Sequence, residues 1–271
     1  MENKWQVTQE AKTIPQLNKP LFIEGLPGIA NVGKIAVDFL IEELKAKKLC
    51  SFFSYKFPHS VFVGEDNLIE MPKIEVYYKK WSGKGKNKRD LLLLTGDIQP
   101  IDEVSCFTFC EEVLQMAKNY GCTEMITTGG IGLQDIPEKS RVFCTSNDEE
   151  MLKTYLKRGM PVEKDIFGVV GPIVGVSGVL LGLGQKQNLK GVALLAETFG
   201  HPMYLGIKGA KEILRVLETK FRFGLDIKKL SKEIVEVEKE LMSKTKEWAT
   251  ELISHQQAGA KSKSKEASYI G

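Results

Sequence analysis

The feature that most limits what this chain can fold into is a series of short apolar runs, each separated from the next by a helical stretch. "PLFIEG" (20–25) and "RDLLLLTGD" (89–97) are the purest of them. Runs that are apolar at successive positions, rather than alternating, belong to strands covered on both faces. "TEMITTGGIG" (123–132) reads as a strand entering a Gly-rich turn, and "RVFCTSN" and "GVALLAET" (191–198) are further strands. Helices fall between them, so the expected fold is α/β: a mainly parallel sheet flanked by helices. Residues 51–80 add antiparallel strands in "SFFSYKF", "SVFV" and "KIEVYYKK".

The helix after "PLFIEG" is expected to start at a cap on Asn31. Val32, Ile35, Ala36, Phe39, Leu40 and Leu44 form its apolar stripe, which puts Ile35 in the core. A second helix, from about Ile101 to Asn119, carries Val104, Phe107, Cys110, Leu114 and Ala117 on one face and stops at Gly121. Asp148 can start a third. From Asp226 the pattern changes: apolar residues at 227, 230, 234, 237 and 241, then Trp248, stand on an otherwise charged, amphipathic helix. The tail "QQAGAKSKSKEAS" is polar and lysine-rich, a composition that does not fold, and it ends in Tyr269, Ile270 and Gly271. The expected organisation is an N-terminal arm (1–17), an α/β domain (18–225), a C-terminal helix (226–257) and a flexible tail (258–271).

Several functions are testable on the residues. In "GLPGIANVGKIA", Gly28, Gly33 and Lys34 have the spacing of a phosphate-binding P-loop, but Ile35 stands where a Mg²⁺-binding hydroxyl belongs. Anion binding by backbone N–H groups would not need that hydroxyl. A small-molecule or nucleotide-binding enzyme would bring Gly28, Asn31, Lys34, Asp97, Gly130 and His201 together at the strand ends. Glu197 and His201 could act as an acid–base pair. "GVSG" around Ser177 is one residue short of a nucleophile elbow. The basic turn "KKWSGKGKNKR" (79–89) with Trp81 is a conceivable nucleic-acid patch, better read as a solvated hairpin tip. A net charge of +3, from 38 basic and 35 acidic residues, exerts no general pull toward nucleic acid.

The five cysteines lack metal-ligand spacing and read as reduced thiols in the core, which suits a cytoplasmic protein. The N-terminus "MENKWQVTQEAK" has no signal-peptide core. The uncharged stretch 166–184 imitates a membrane span. Its six glycines and Pro172 fit a strand, a turn and a short buried helix capped by Ser177 better. No metal or cofactor is expected.

Taken in order, "LFIEGLPGIANVGKIA", "LLLLTGDIQP", "MITTGGIGL", "VVGPIVGVSGVLLGLG", "GVALLAETFGHP" and "KEILRVLETKFRFGLDIKKL" resemble the archaeal members of the proteasome assembly chaperone 2 family. The resemblance spans roughly residues 18 to 242. It implies a nucleoside-phosphorylase-like α/β domain with a C-terminal helical extension. It also implies homo-oligomers and ATP-independent help in assembling the 20S proteasome, chiefly through its α-subunits. On that reading the protein is not an enzyme, and Gly25, Gly28 and Gly33 form a structural turn of close backbone approach. Leu230, Ile234, Val237, Leu241, Trp248, Tyr269, Ile270 and Gly271 become the residues that hold a partner, either α-subunits or a paralogous chaperone. Relatives that insert a C-terminal tail end in hydrophobic–Tyr–any residue, whereas Tyr269 stands one place early.

Overall fold

The computed structural model describes residues 5–64, 66–81, 89–166, 168 and 171–230. The chain divides into two compact units, Met1–Ile227 and Lys228–Gly271. Among the described residues of the first, the strands are β1 (Gln6–Gln9), β2 (Leu21–Glu24), β3 (Lys47–Phe53), β4 (Phe62–Val63), β5 (Ile69–Glu70), β6 (Ile74–Lys79), β7 (Leu91–Gly96), β8 (Glu124–Leu133), β9 (Val142–Ser146) and β10 (Lys190–Phe199). The helices are α1 (Val32–Glu43), α2 (Glu103–Asn119), α3 (Glu149–Tyr155), α4 (Val176–Lys186) and α5 (Ile207–Phe221).

Eight strands form one sheet in the order β1-β3-β6-β7-β2-β8-β10-β9, and β4 and β5 make a separate hairpin. The centre, β7, β2, β8 and β10, is parallel. Antiparallel strands extend it on both sides: β6, β3 and β1 beyond β7, and β9 beyond β10. β2 and β7 are buried at every position, as their unbroken apolar runs require. Helices α1 and α5 pack together over one face, α2 and α4 over the other. Phe22 and Leu94 share a buried cluster with Phe109 and Val113 of α2 and Leu180 of α4. Each large side chain so covered contributes on the order of 2 kcal/mol.

Five local expectations are corrected. In α1 the buried face is Val32, Gly33, Ala36, Val37 and Leu40, while Ile35 and Phe39 are only half-buried. The helix is turned because the bare backbone of Gly33 lies hard against β8. Asn31 occupies the N-cap with φ 54°, but its side chain makes no capping bond. In α2, Val104 and Phe107 are exposed, and the inward line runs through Cys106, Phe109, Cys110, Val113, Leu114 and Ala117. The glycines after "MITT" do not leave the strand: β8 pairs with β10 from Glu124 to Leu133, because ladder bonds need only backbone. Ser177 does not cap α4, whose N-cap is Gly175 at φ 86°, a left-handed geometry glycine permits.

Stretch 166–184 yields no strand among its described residues, only the start of α4. Among the described residues no helix is long and apolar enough to cross a membrane. β1 falls in the segment read as an arm. Its four side chains are all exposed, so no burial pattern announces it. The second unit is described only to Leu230, which is buried. Ile234, Val237, Leu241, Trp248, Tyr269, Ile270 and Gly271 lie outside the described residues.

Candidate functional site

The turn after β2 is built from interlocking backbone. A Cβ on Gly25 would sit 2.2 Å from the Gly33 carbonyl oxygen, and one on Gly33 would sit 2.4 Å from that of Thr128. Gly28 faces open space. Between this turn, the second half of β8 and the loop entering α4 lies a cleft of about 400 Å³. Its walls include Pro27, Ile29, Gly130, Pro172 and Leu195, with Ser177 among the lining residues. Gln99 ties the two lips: its Nε2 donates to the Pro27 carbonyl (2.6 Å), and its Oε1 accepts the Val176 N–H (3.3 Å). β2 has parallel neighbours on both sides, and the helices after β2 and β7 cover opposite faces. The cleft therefore stands at the switch point where open α/β sheets hold ligands.

Beneath it lies Glu24, the last residue of β2, fully buried. Its Oε1 accepts the Leu26 N–H (3.1 Å) and its Oε2 accepts the Ser177 hydroxyl (2.9 Å). Its carbonyl accepts the Thr128 hydroxyl (2.8 Å). Burial pushes the Glu24 carboxyl up to about 7, against the pull of the bonds from Ser177 and Leu26. Thr127, the register partner of Glu24, is also fully buried, and its hydroxyl has no hydrogen-bond partner among the described residues. Glu24 is not among the candidate residues that the sequence singles out. The available signal was a lone acid at the end of an otherwise apolar strand, directly before a glycine.

The residues expected to converge do so only in part. Gly28 and Gly130 border the cleft. Lys34 turns along its own helix to Asp38 (2.9 Å). Asp97 is exposed and accepts the Lys73 N–H. His201 is exposed, stacked on Phe199, with its Nδ1 accepting the Met203 N–H (3.2 Å). Glu197 is not an acid–base partner for it: Arg141 grips that carboxylate through its guanidinium and its backbone N–H. The Arg141 hydrogen bonds hold the Glu197 carboxyl below its usual range. Trp81 is half-buried and edge-on to Phe223, and residues 82–88 of the basic turn lie outside the described residues. All five cysteines are buried and unpaired. Among the described residues no three metal-binding side chains gather.

A different surface is apolar and open. The β4–β5 hairpin exposes Val61, Phe62, Val63 (70%), Leu68, Ile69 (71%) and Met71, with Tyr55 (85%) as a further exposed ring. Ile101, Val104 and Phe107 add a second exposed apolar line at the start of α2.

Parallel-centred sheet, helices on both faces and a cleft at the switch point define a three-layer α/β protein. The sequence matches the PAC2 family model over residues 22–244, and the chain belongs to that family. It is similar to Pyrococcus furiosus PbaB, an archaeal proteasome activator, at 32% identity with a TM-score of 0.79, covering 89% of this chain and 99% of that one. Its fold is also that of P. furiosus PbaA, an archaeal homolog of proteasome-assembly chaperone, at 24% identity and a TM-score of 0.69, over 94% and 98% of the two chains. An uncharacterized Methanocaldococcus jannaschii protein, MJ1210, is 27% identical over 98% of this chain and 97% of its own.

Proposed function

We propose that this protein is a cytoplasmic proteasome assembly chaperone or adaptor that works by protein–protein contact, without ATP. Its partners are 20S proteasome α-subunits or a paralogous chaperone, and it acts as a homo-oligomer. The observation that carries the reading is the match to PbaB, which extends over nearly the whole of both chains. The open apolar hairpin and the exposed line on α2 support it, since contiguous apolar surface of this kind marks association sites. The amphipathic spacing of Leu230, Ile234, Val237, Leu241 and Trp248 in the sequence supports partner capture by this segment. Tyr269, Ile270 and Gly271 follow a polar, lysine-rich stretch, a composition that suits a peptide ligand.

Size-exclusion chromatography with light scattering tests this. The protein is run alone, with archaeal proteasome α-subunits, and with residues 258–271 deleted. A larger co-eluting species that shrinks on deletion is the expected result. A protein that ignores α-subunits with or without its tail would overturn the reading.

A further inference from the structure

We propose that Ser177, with Glu24 behind it, is a nucleophile in the cleft, and that the site takes small esters with an apolar acyl group. This goes beyond the chaperone reading and shares no residue with the surfaces assigned to partners. The case rests on placement. Ser177 lines a cleft of about 400 Å³, while the carboxyl that accepts its hydroxyl proton is fully buried and 2.9 Å away. A nucleophile and a base within hydrogen-bond reach are the minimum for covalent catalysis. Thr127 adds a second buried hydroxyl beside Glu24 in the ladder, without a hydrogen-bond partner among the described residues, so polarity gathers at one point of an apolar layer.

The base strength suits the task. A carboxyl near 7 can accept a proton at neutral pH and return it to a leaving group. The other titratable groups close enough to bias it are Cys106 and Cys110 of α2. Among the described residues, β8 brings the Thr127 hydroxyl and a backbone bond at Thr128, α4 brings Ser177, and the turn brings the Leu26 N–H. The hydroxyls and N–H groups carry no charge, so burial is the largest influence on Glu24, with the nearby Cys106 pushing in the same direction.

The chemistry balances. Ser177 Oγ attacks the ester carbonyl while its proton passes to Glu24 Oε2. The bond to the alcohol oxygen breaks, and that oxygen takes the proton from Glu24. Water then attacks the acyl-serine with Glu24 accepting its proton, and Ser177 leaves with that proton restored. The oxyanion forms beside the first turn of α4, whose positive end favours it. Pro27, Ile29, Pro172 and Leu195 fit a short apolar acyl chain.

The full-length protein is treated with p-nitrophenyl acetate and with an alkyl fluorophosphonate, and the adduct is mapped by mass spectrometry. A single adduct on Ser177 is expected, with a rate that rises with pH and levels off about a midpoint near 7. Ser177→Ala removes it, and Glu24→Gln slows it about 100-fold. No adduct on Ser177, or a Glu24→Gln protein that reacts at the wild-type rate, would overturn the proposal. Should Glu24→Gln not fold, the wild-type profile decides: a rate that climbs with hydroxide through pH 9 without a break excludes Glu24 as the base. Co-elution with α-subunits is read separately on Ser177→Ala and stays intact, so either reading can fail alone.

Discussion

Glu24 sets two demands against each other in one side chain. Its charge belongs in water, while its position at the end of β2 is dry. Its ordinary value is 4.5 and its folded value about 7, so the folded chain holds a proton that the unfolded chain has lost between those limits. The contribution is therefore full below about pH 4.5 and is lost as pH rises through 7, a change of about 3 kcal/mol. Urea midpoints at pH 5 and pH 8 should show this fall in the wild type, with Glu24→Gln lacking this component. The glycines make a second residue-scale prediction. Gly33→Ala drives a methyl into the Thr128 carbonyl and should cost about 3 kcal/mol, while Gly28→Ala meets nothing and should cost less than about 1. Equilibrium denaturation of the two variants checks the difference. The spacing of Gly28, Gly33 and Lys34 was legible, but the letters alone do not say that Lys34 folds back onto Asp38.

At the scale of elements, the central strands were the easiest to read, because burial on both faces leaves little room for a polar letter. Helix faces were harder. The expected stripe on α2 held at Cys110, Leu114 and Ala117 and failed at Val104 and Phe107, which the sequence writes as core and the fold leaves in solvent. That failure is informative, since it leaves Val104 and Phe107 as exposed apolar surface at the start of α2. The β4–β5 hairpin makes the same offer more strongly: two-residue strands exposing Val63 and Ile69 gain little from each other in water. Val63→Ser combined with Ile69→Ser should reduce association with itself or with α-subunits while leaving the melting temperature within about 2 °C. Light scattering beside a thermal melt separates the two effects.

At the scale of the whole molecule, the α/β class and the parallel centre followed from the alternation of runs, and the order of the Gly-rich strings pointed to the family. The cleft did not follow. It needs Gln99, Ser177 and Glu24 to meet from three distant parts of the chain, and no local pattern records such a meeting. The same distances shape how the protein comes into being. β2 is the middle of the sheet, yet Leu21 pairs with Leu91 on one side and with Glu124 on the other. A growing chain therefore emerges from the ribosome with its most central strand complete and both neighbours still unmade. Until β7 and then β8 are translated, "LFIE" is an unpaired apolar edge, and contacts of this span form slowly. A protein proposed to guard the assembly of others thus begins its own life as the kind of intermediate that needs guarding.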